Sequence, residues 1–137
     1  MKVLFVDVGN TCRSVIAEHL ARRFTGLDAR SAGIRAQRPE DAKQALDTLR
    51  RVFGIDVPGH FPTNAADHAL ATFDVVVAIE DKNGPSVVTQ RLKELGLAGN
   101  RIERWRIDDP WDSNPDQYDE TARQVRQALA RLVDSKS

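Results

Sequence analysis

The segment that follows the first apolar run of the chain, residues 3–6, has the composition of an anion-binding loop. Gly9 and Asn10 permit a tight backbone turn, and Ser14 is placed to cap the helix that the downstream apolar spacing predicts. Such a turn directs backbone N–H groups and a helix N-terminus towards one point, which attracts an anion. Arg13 adds a planar guanidinium that matches two phosphate oxygens. The predicted phosphate-binding residues are Val8, Gly9, Asn10, Thr11, Cys12, Arg13 and Ser14.

This loop resembles the signature of the low-molecular-weight protein tyrosine phosphatase and arsenate reductase family, in which a cysteine, five residues, an arginine and a serine follow the first strand. Five residues match the part after the cysteine: Gly9, Asn10, Cys12, Arg13 and Ser14. Asp7 stands at the cysteine position, and Val15 replaces a usual proline. The loop therefore has the residues that bind phosphate, but a carboxylate at the nucleophile position.

The resemblance covers nearly the whole chain in the same order. Later matching segments are Ser31-Ala32-Gly33, Gly54-Ile55-Asp56 with Gly59-His60, Phe73-Asp74 leading into residues 75–79, and Asp109-Pro110. The resemblance implies that Arg13 is the phosphate clamp and that Asp109 is the general acid. It implies that three residues hold the loop: Asn10, Ser14 and His60. It also implies that Trp111 flanks an aromatic substrate.

The carboxylate of Asp7 predicts an impaired site. One of its oxygens could lie in the anion pocket and pair with Arg13 as the substrate should. Two unit charges about 4 Å apart at a protein surface repel by roughly 4 kcal/mol, which lowers phosphate affinity about a thousandfold. Loss of a nucleophile can remove on the order of a millionfold in turnover. The leading hypothesis is a phosphatase-like protein whose pocket is self-filled or binds phosphate, a phosphoprotein or a small phosphomonoester weakly.

Three alternatives remain open within the same fold. The chain could be an active phosphatase by an altered route, with water as nucleophile and Asp7 as base. It could be an inactivated form of an ordinary tyrosine phosphatase, if Asp7 was introduced. It could also be a non-catalytic binding or regulatory module that uses another surface, such as the region of Trp111.

Two other activities can be weighed from the residues. Asp-Val-Gly-Asn-Thr at residues 7–11 also resembles the phosphate motif of actin-like ATP-dependent kinases, but those need two related halves, and 137 residues cannot supply both. Thioredoxin-coupled arsenate reductases pass oxidation along three cysteines, whereas this chain has only Cys12. The sequence therefore favours the phosphatase resemblance.

Alternating strands and helices predict an α/β fold with a parallel sheet covered on both faces. The resemblance specifies a three-layer sandwich with a four-stranded parallel sheet flanked by helices. The predicted later strands are residues 29–32, 75–79 and 102–107, and the predicted later helices are residues 39–53, 65–71, 85–95 and 118–133. Ligands bind at the carboxyl ends of such strands. The loops after Val6 and Ile107 should therefore share one face, which brings Asp7, Arg13 and Asp109 into one candidate catalytic site.

Composition limits the remaining possibilities. A chain of 137 residues predicts one domain over residues 1–137, and its zero formal net charge favours neither nucleic acid nor an anionic membrane as a partner. The apolar start is too short for a signal peptide or membrane span, so we expect a cytoplasmic protein. Neither His19 nor His68 has ligand spacing, and we expect no metal and no cofactor. Oligomeric state is not predicted.

Overall fold

The chain forms a four-stranded parallel sheet in the strand order β2-β1-β3-β4, seen in a computed structural model that describes residues 1–136. The strands are β1 Lys2–Asp7, β2 Asp28–Gly33, β3 Val75–Glu80 and β4 Ile102–Arg106. The α-helices are α1 Arg13–Phe24, α2 Lys43–Phe53, α3 Val87–Glu94 and α4 Pro115–Lys136. Short 3-10 turns occupy Pro39–Ala42, Ala65–Asp67, Leu70–Thr72 and Gly99–Arg101. The predicted α/β fold is confirmed.

Two apolar cores lie on opposite faces of the sheet. Val3 and Phe5 of β1 pack in one core with residues of α1, α2 and α4, whereas Leu4 and Val6 pack in the other with residues of α3. Side chains of a strand alternate between faces, so one apolar strand serves both cores. The result is the three-layer sandwich that the resemblance implied.

Two strands of the sheet end in a buried carboxylate that caps the helix after it. Glu80 ends β3, and its oxygens accept hydrogen bonds from the N–H groups of Val88 and Thr89 at 3.1 and 2.8 Å. These contacts fix the start of α3 at Val87. The sequence had predicted a start at Pro85, two residues earlier, so that boundary was wrong. Asp7 ends β1 in the same way, as described below.

Other predicted helix boundaries were also wrong. The predicted helix 39–53 begins as the 3-10 turn Pro39–Ala42, and α2 itself starts at Lys43. Residues 65–71 form two 3-10 turns rather than one helix, because the N–H groups of Asp67 and His68 bond to carbonyls only three residues back. Helix α4 begins at Pro115, three residues before the predicted start. The side chain of Asn114 accepts the N–H of Gln117 at 3.0 Å, which is an N-cap contact, and proline suits the first helical position. Within residues 1–136, no helix has the length and apolar content needed to cross a bilayer.

Candidate functional site

The loop between β1 and α1 is a tight turn held by one asparagine. Asn10 has a positive φ of 57°, a conformation that asparagine tolerates better than most residues. Its Nδ2 donates to the hydroxyls of Ser14 and Ser31 at 2.9 and 3.0 Å, and its Oδ1 accepts the N–H of Thr63 at 3.0 Å. His60 reaches the same residue, since its Nε2 lies 3.0 Å from the Asn10 carbonyl oxygen. Hydrogen bonds to α1, β2 and residues 60–63 therefore hold the loop in place.

The Asp7 carboxylate faces the backbone of this loop. Its Oδ1 accepts the N–H of Asn10 at 2.7 Å, and its Oδ2 accepts the N–H of Ser14 at 2.9 Å. Asp7 is 2% exposed. The N-cap residue of α1 is Cys12, which makes no side-chain capping bond, and Ser14 lies inside the helix. The prediction that Ser14 caps α1 was therefore wrong, because Asp7 supplies the acceptor.

Arg13 pairs with other carboxylates than the one predicted. Its Nη1 donates to the carbonyl of Ile107 at 2.8 Å and to Asp81 at 3.2 Å, and its Nη2 lies 3.8 Å from Asp109. No ion pair joins Arg13 to Asp7 in the described part of the chain, so that expectation was wrong. The reason is geometric: Asp7 is turned towards the loop amides, while Arg13 extends towards the end of β4.

One donor of the Arg13 guanidinium remains free. Its Nε is buried and has no hydrogen-bond partner among the described residues. A buried N–H without an acceptor is unfavourable by roughly 1–3 kcal/mol. Arg13 therefore retains a donor that could serve an anion, even though its terminal nitrogens are engaged.

Asp109 reaches the site from the loop after β4, as the topology predicted. Its Oδ1 accepts the N–H of Trp111 at 3.1 Å, and its own N–H donates to Asp81 at 3.1 Å. Partial burial raises the pKa of Asp109, and the negative charge of Asp7 acts in the same direction, while Arg13 opposes both. A raised pKa suits a carboxyl group that donates a proton. Trp111 beside it is 50% exposed.

Sequence reasoning missed Asp81, which links Arg13 to the Asp109 backbone. The available signal was its place directly after β3, at the same edge of the sheet as Asp7 and Asp109. Two carboxylates, those of Asp81 and Asp109, lie beside the Arg13 guanidinium, and the charge of Asp7 is close enough to raise the pKa of Asp109. The local charge is therefore less favourable to an anion than the loop sequence alone suggests.

Cys12, the only cysteine of the chain, is 3% exposed. Burial raises the pKa of its thiol well above the ordinary value, and the charges of Asp109 and Asp7 raise it further against a smaller opposing effect of Arg13. A thiol of this kind stays protonated at neutral pH. Because thiolates, not thiols, are nucleophiles, Cys12 has the properties of a packing residue.

Comparison with known proteins identifies a family. A sequence model described as low molecular weight phosphotyrosine protein phosphatase matches residues 2–136. The chain is 28% identical over 123 residues to the low molecular weight protein-tyrosine-phosphatase Etp of Escherichia coli K12, covering 85% of this chain and 82% of that protein.

Solved structures agree at the level of the fold. A low molecular weight protein tyrosine phosphatase from T. tengcongensis superposes with a TM-score of 0.84 at 24% identity, covering 98% of this chain and 99% of that one. The YwlE arginine phosphatase from Geobacillus stearothermophilus superposes with a TM-score of 0.77 at 22% identity, covering 98% and 91%. One of these proteins is named a tyrosine phosphatase and the other an arginine phosphatase. The fold alone therefore does not determine which phosphorylated residue is bound.

Proposed function

The chain belongs to the low molecular weight phosphotyrosine protein phosphatase family, and on that premise we propose that it is a catalytically impaired member. In this proposal Asp7 stands at the position of the attacking cysteine. Arg13 and Asp109 keep the positions of the phosphate clamp and the general acid. The family acts on phosphorylated substrates, so the proposed ligand is a phosphate group carried by a protein or a small molecule.

The observation that carries the proposal is the hydrogen bonding of the Asp7 carboxylate. Donors at a helix N-terminus can stabilise a thiolate and lower its pKa. In this loop the N–H groups of Asn10 and Ser14 instead stabilise a buried carboxylate. A carboxylate is the weaker nucleophile, and its fixed charge opposes a phosphate dianion by roughly 4 kcal/mol at about 4 Å.

Cys12 supports the same proposal because it does not offer a replacement nucleophile. Its thiol is buried and its raised pKa keeps it protonated. It also lies at the N-cap of α1 rather than at the end of β1. Thiol chemistry at this site would therefore require a cysteine at position 7.

Weak phosphate binding is the second part of the proposal. The buried Nε of Arg13 is a donor without a partner, and the loop retains its compact turn around Asn10. Asp7, Asp81 and Asp109 oppose an anion there. We therefore expect the pocket to bind inorganic phosphate weakly, with affinity limited by the charge of Asp7.

Hydrolysis of p-nitrophenyl phosphate tests the catalytic part. The parent protein, Asp7→Cys and Asp7→Ser are compared with vanadate as inhibitor. We expect no measurable turnover from the parent and vanadate-sensitive turnover from Asp7→Cys. Asp7→Ser is the matched control, since it removes the carboxylate without adding a thiol, and should stay far below Asp7→Cys. Parent turnover equal to that of Asp7→Cys would refute impairment.

Calorimetric titration with inorganic phosphate tests the binding part. Asp7→Ser should bind phosphate at least tenfold more tightly than the parent, because the repulsive charge is gone. Equal affinities would mean that Asp7 does not face the ligand. If Asp7→Cys is inactive and Asp7→Ser also fails to bind phosphate, this loop is not a phosphate site.

A further inference from the structure

A cluster of three potential metal ligands lies behind the loop, outside the phosphate site. Glu18 and His19 are neighbours on α1, and His60 comes from the segment after α2. Each offers one ligand atom, and the three atoms lie within 4.8 Å of one another. The rings of His19 and His60 meet edge to face with centroids 6.4 Å apart. The fold therefore brings two imidazole rings and one carboxylate close together.

His19 has a ring nitrogen available for a ligand. Its Nε2 is buried and has no hydrogen-bond partner among the described residues. A buried polar nitrogen without a hydrogen-bond partner is energetically unfavourable and calls for an explanation, such as an ion bound there.

His60 uses only one of its two nitrogens on the loop. Its Nε2 lies 3.0 Å from the Asn10 carbonyl oxygen and 3.2 Å from Asn10 Oδ1. Both of these contacts use Nε2, which leaves Nδ1 for another partner. Histidine ligands of metals commonly donate their other ring N–H to a backbone carbonyl, which fixes the tautomer. The contact with the Asn10 carbonyl is of this kind in the tautomer that carries the proton on Nε2.

Glu18 supplies the negative charge of the cluster and is already oriented. One oxygen accepts the Ser31 hydroxyl, and the other pairs with Arg22 Nη2 at 2.7 Å. The Arg22 side chain is 42% exposed, whereas Glu18 is buried. Arg22 is thus a nearby opposing charge that a cation would have to displace from Glu18.

We propose that Glu18, His19 and His60 form a binding site for Zn²⁺ or a similar divalent transition metal ion. Two imidazole nitrogens and one carboxylate oxygen are the donor set that such ions accept, with water completing the coordination. Because His60 also contacts Asn10, the bound ion holds the loop that carries the phosphate site. This inference does not depend on the proposed function.

Calorimetric titration of Zn²⁺ into the metal-free protein tests the site. The parent should bind one ion per chain. His19→Gln removes the ligand with the unpartnered nitrogen, and should weaken binding by at least the roughly 10- to 100-fold that loss of an outer-shell partner causes. His68→Gln is the matched control, since His68 bonds to Thr63 outside the cluster, and should bind like the parent.

A second variant tests the opposing charge. Arg22→Gln releases Glu18 and should bind Zn²⁺ more tightly than the parent. Zn²⁺ should also raise the thermal unfolding temperature of the parent and of His68→Gln, but not that of His19→Gln, whose own unfolding temperature shows whether it is folded. Unchanged Zn²⁺ affinity in His19→Gln, or loss of binding in His68→Gln, would overturn the proposal.

Discussion

Asp7 accepts the N–H groups of Asn10 and Ser14, and these contacts are those of a helix cap supplied from the preceding strand. Capping side chains satisfy backbone donors that have no partner within the helix. Asp7 therefore stabilises the loop and α1, whatever it does to a ligand. A residue that impairs chemistry in our proposal is also one that holds the fold together.

This double role predicts that a gain in activity comes with a loss of stability. Asp7→Cys should lower the free energy of unfolding by about 0.5–2 kcal/mol, the range for loss of a capping side chain. Urea unfolding measures this difference. Asp56→Asn is the control, because the pair that Asp56 forms with Arg50 is exposed on both sides and the substitution should change stability by less than about 0.5 kcal/mol. A variant Asp7→Cys as stable as the parent would contradict the capping role.

The sequence predicted which residues meet at the site better than it predicted their partners. The parallel topology was enough to bring Arg13 and Asp109 together. The orientation of Asp7 depends on a loop turn with φ of 57° at Asn10, and that detail is not encoded in strand and helix patterns. Asp81 was missed although it directly follows β3, because a carboxylate at that place is also common in surface turns.

At the level of elements, the loop rests on the end of β2. Carbonyl oxygens of Asp7, Val8 and Gly9 accept the N–H groups of Ile34, Arg35 and Gln37 at 2.9–3.0 Å. Gly33 lies where this contact begins, and a Cβ there would come within 2.7 Å of the Val8 carbonyl oxygen and 2.8 Å of the Asn10 nitrogen. Both neighbours are backbone atoms, which cannot rotate away.

Gly33→Ala should therefore destabilise the protein by about 1–3 kcal/mol, the usual effect of overpacking. Urea unfolding compares it with Gly59→Ala, whose added Cβ meets no atom within 4 Å. Gly59→Ala should have little effect. If the two variants have equal stability, the close approach of β2 to the loop is not rigid.

Element boundaries were predictable where the signals were local and apolar. Gly54, with φ of 68°, ends α2 as the sequence predicted. The start of α4 was missed because its signal is polar: Asn114 and Pro115 form a cap that precedes the apolar stripe. Apolar periodicity finds the middle of a helix more reliably than its first turn.

Across the whole molecule, the three histidines share one electrostatic property. Burial lowers the pKa of His19, His60 and His68 below their ordinary value of 6.5. The unfolded chain therefore binds protons at a higher pH than the folded chain does. The stability from these groups is fully present above pH 6.5 and is lost as pH falls through the lower folded-state values.

Urea unfolding should accordingly give a lower free energy at about pH 5.5 than at about pH 7.5. His19→Gln removes one of the three titrating groups, so the difference between the two pH values should be smaller in that variant. Stability that is constant or rises as pH falls through this range would contradict the burial of these histidines.

The cluster of Glu18, His19 and His60 marks a limit of spacing arguments. The two histidines are far apart in sequence and have no metal-binding spacing, so the sequence predicted no metal. The fold brings them together because α1 packs beside the segment that follows α2. Side chains that meet only through tertiary structure leave no local signal in the sequence.

The burial of Cys12 has a consequence for oxidation. Peroxide reacts with exposed thiolates, and a sulfenic acid needs a second thiol to form a disulfide. Cys12 is a protonated thiol with 3% exposure, and the sequence contains no second cysteine. The loop should therefore keep its chemical state in oxidising conditions that would inactivate an enzyme dependent on a reactive thiolate.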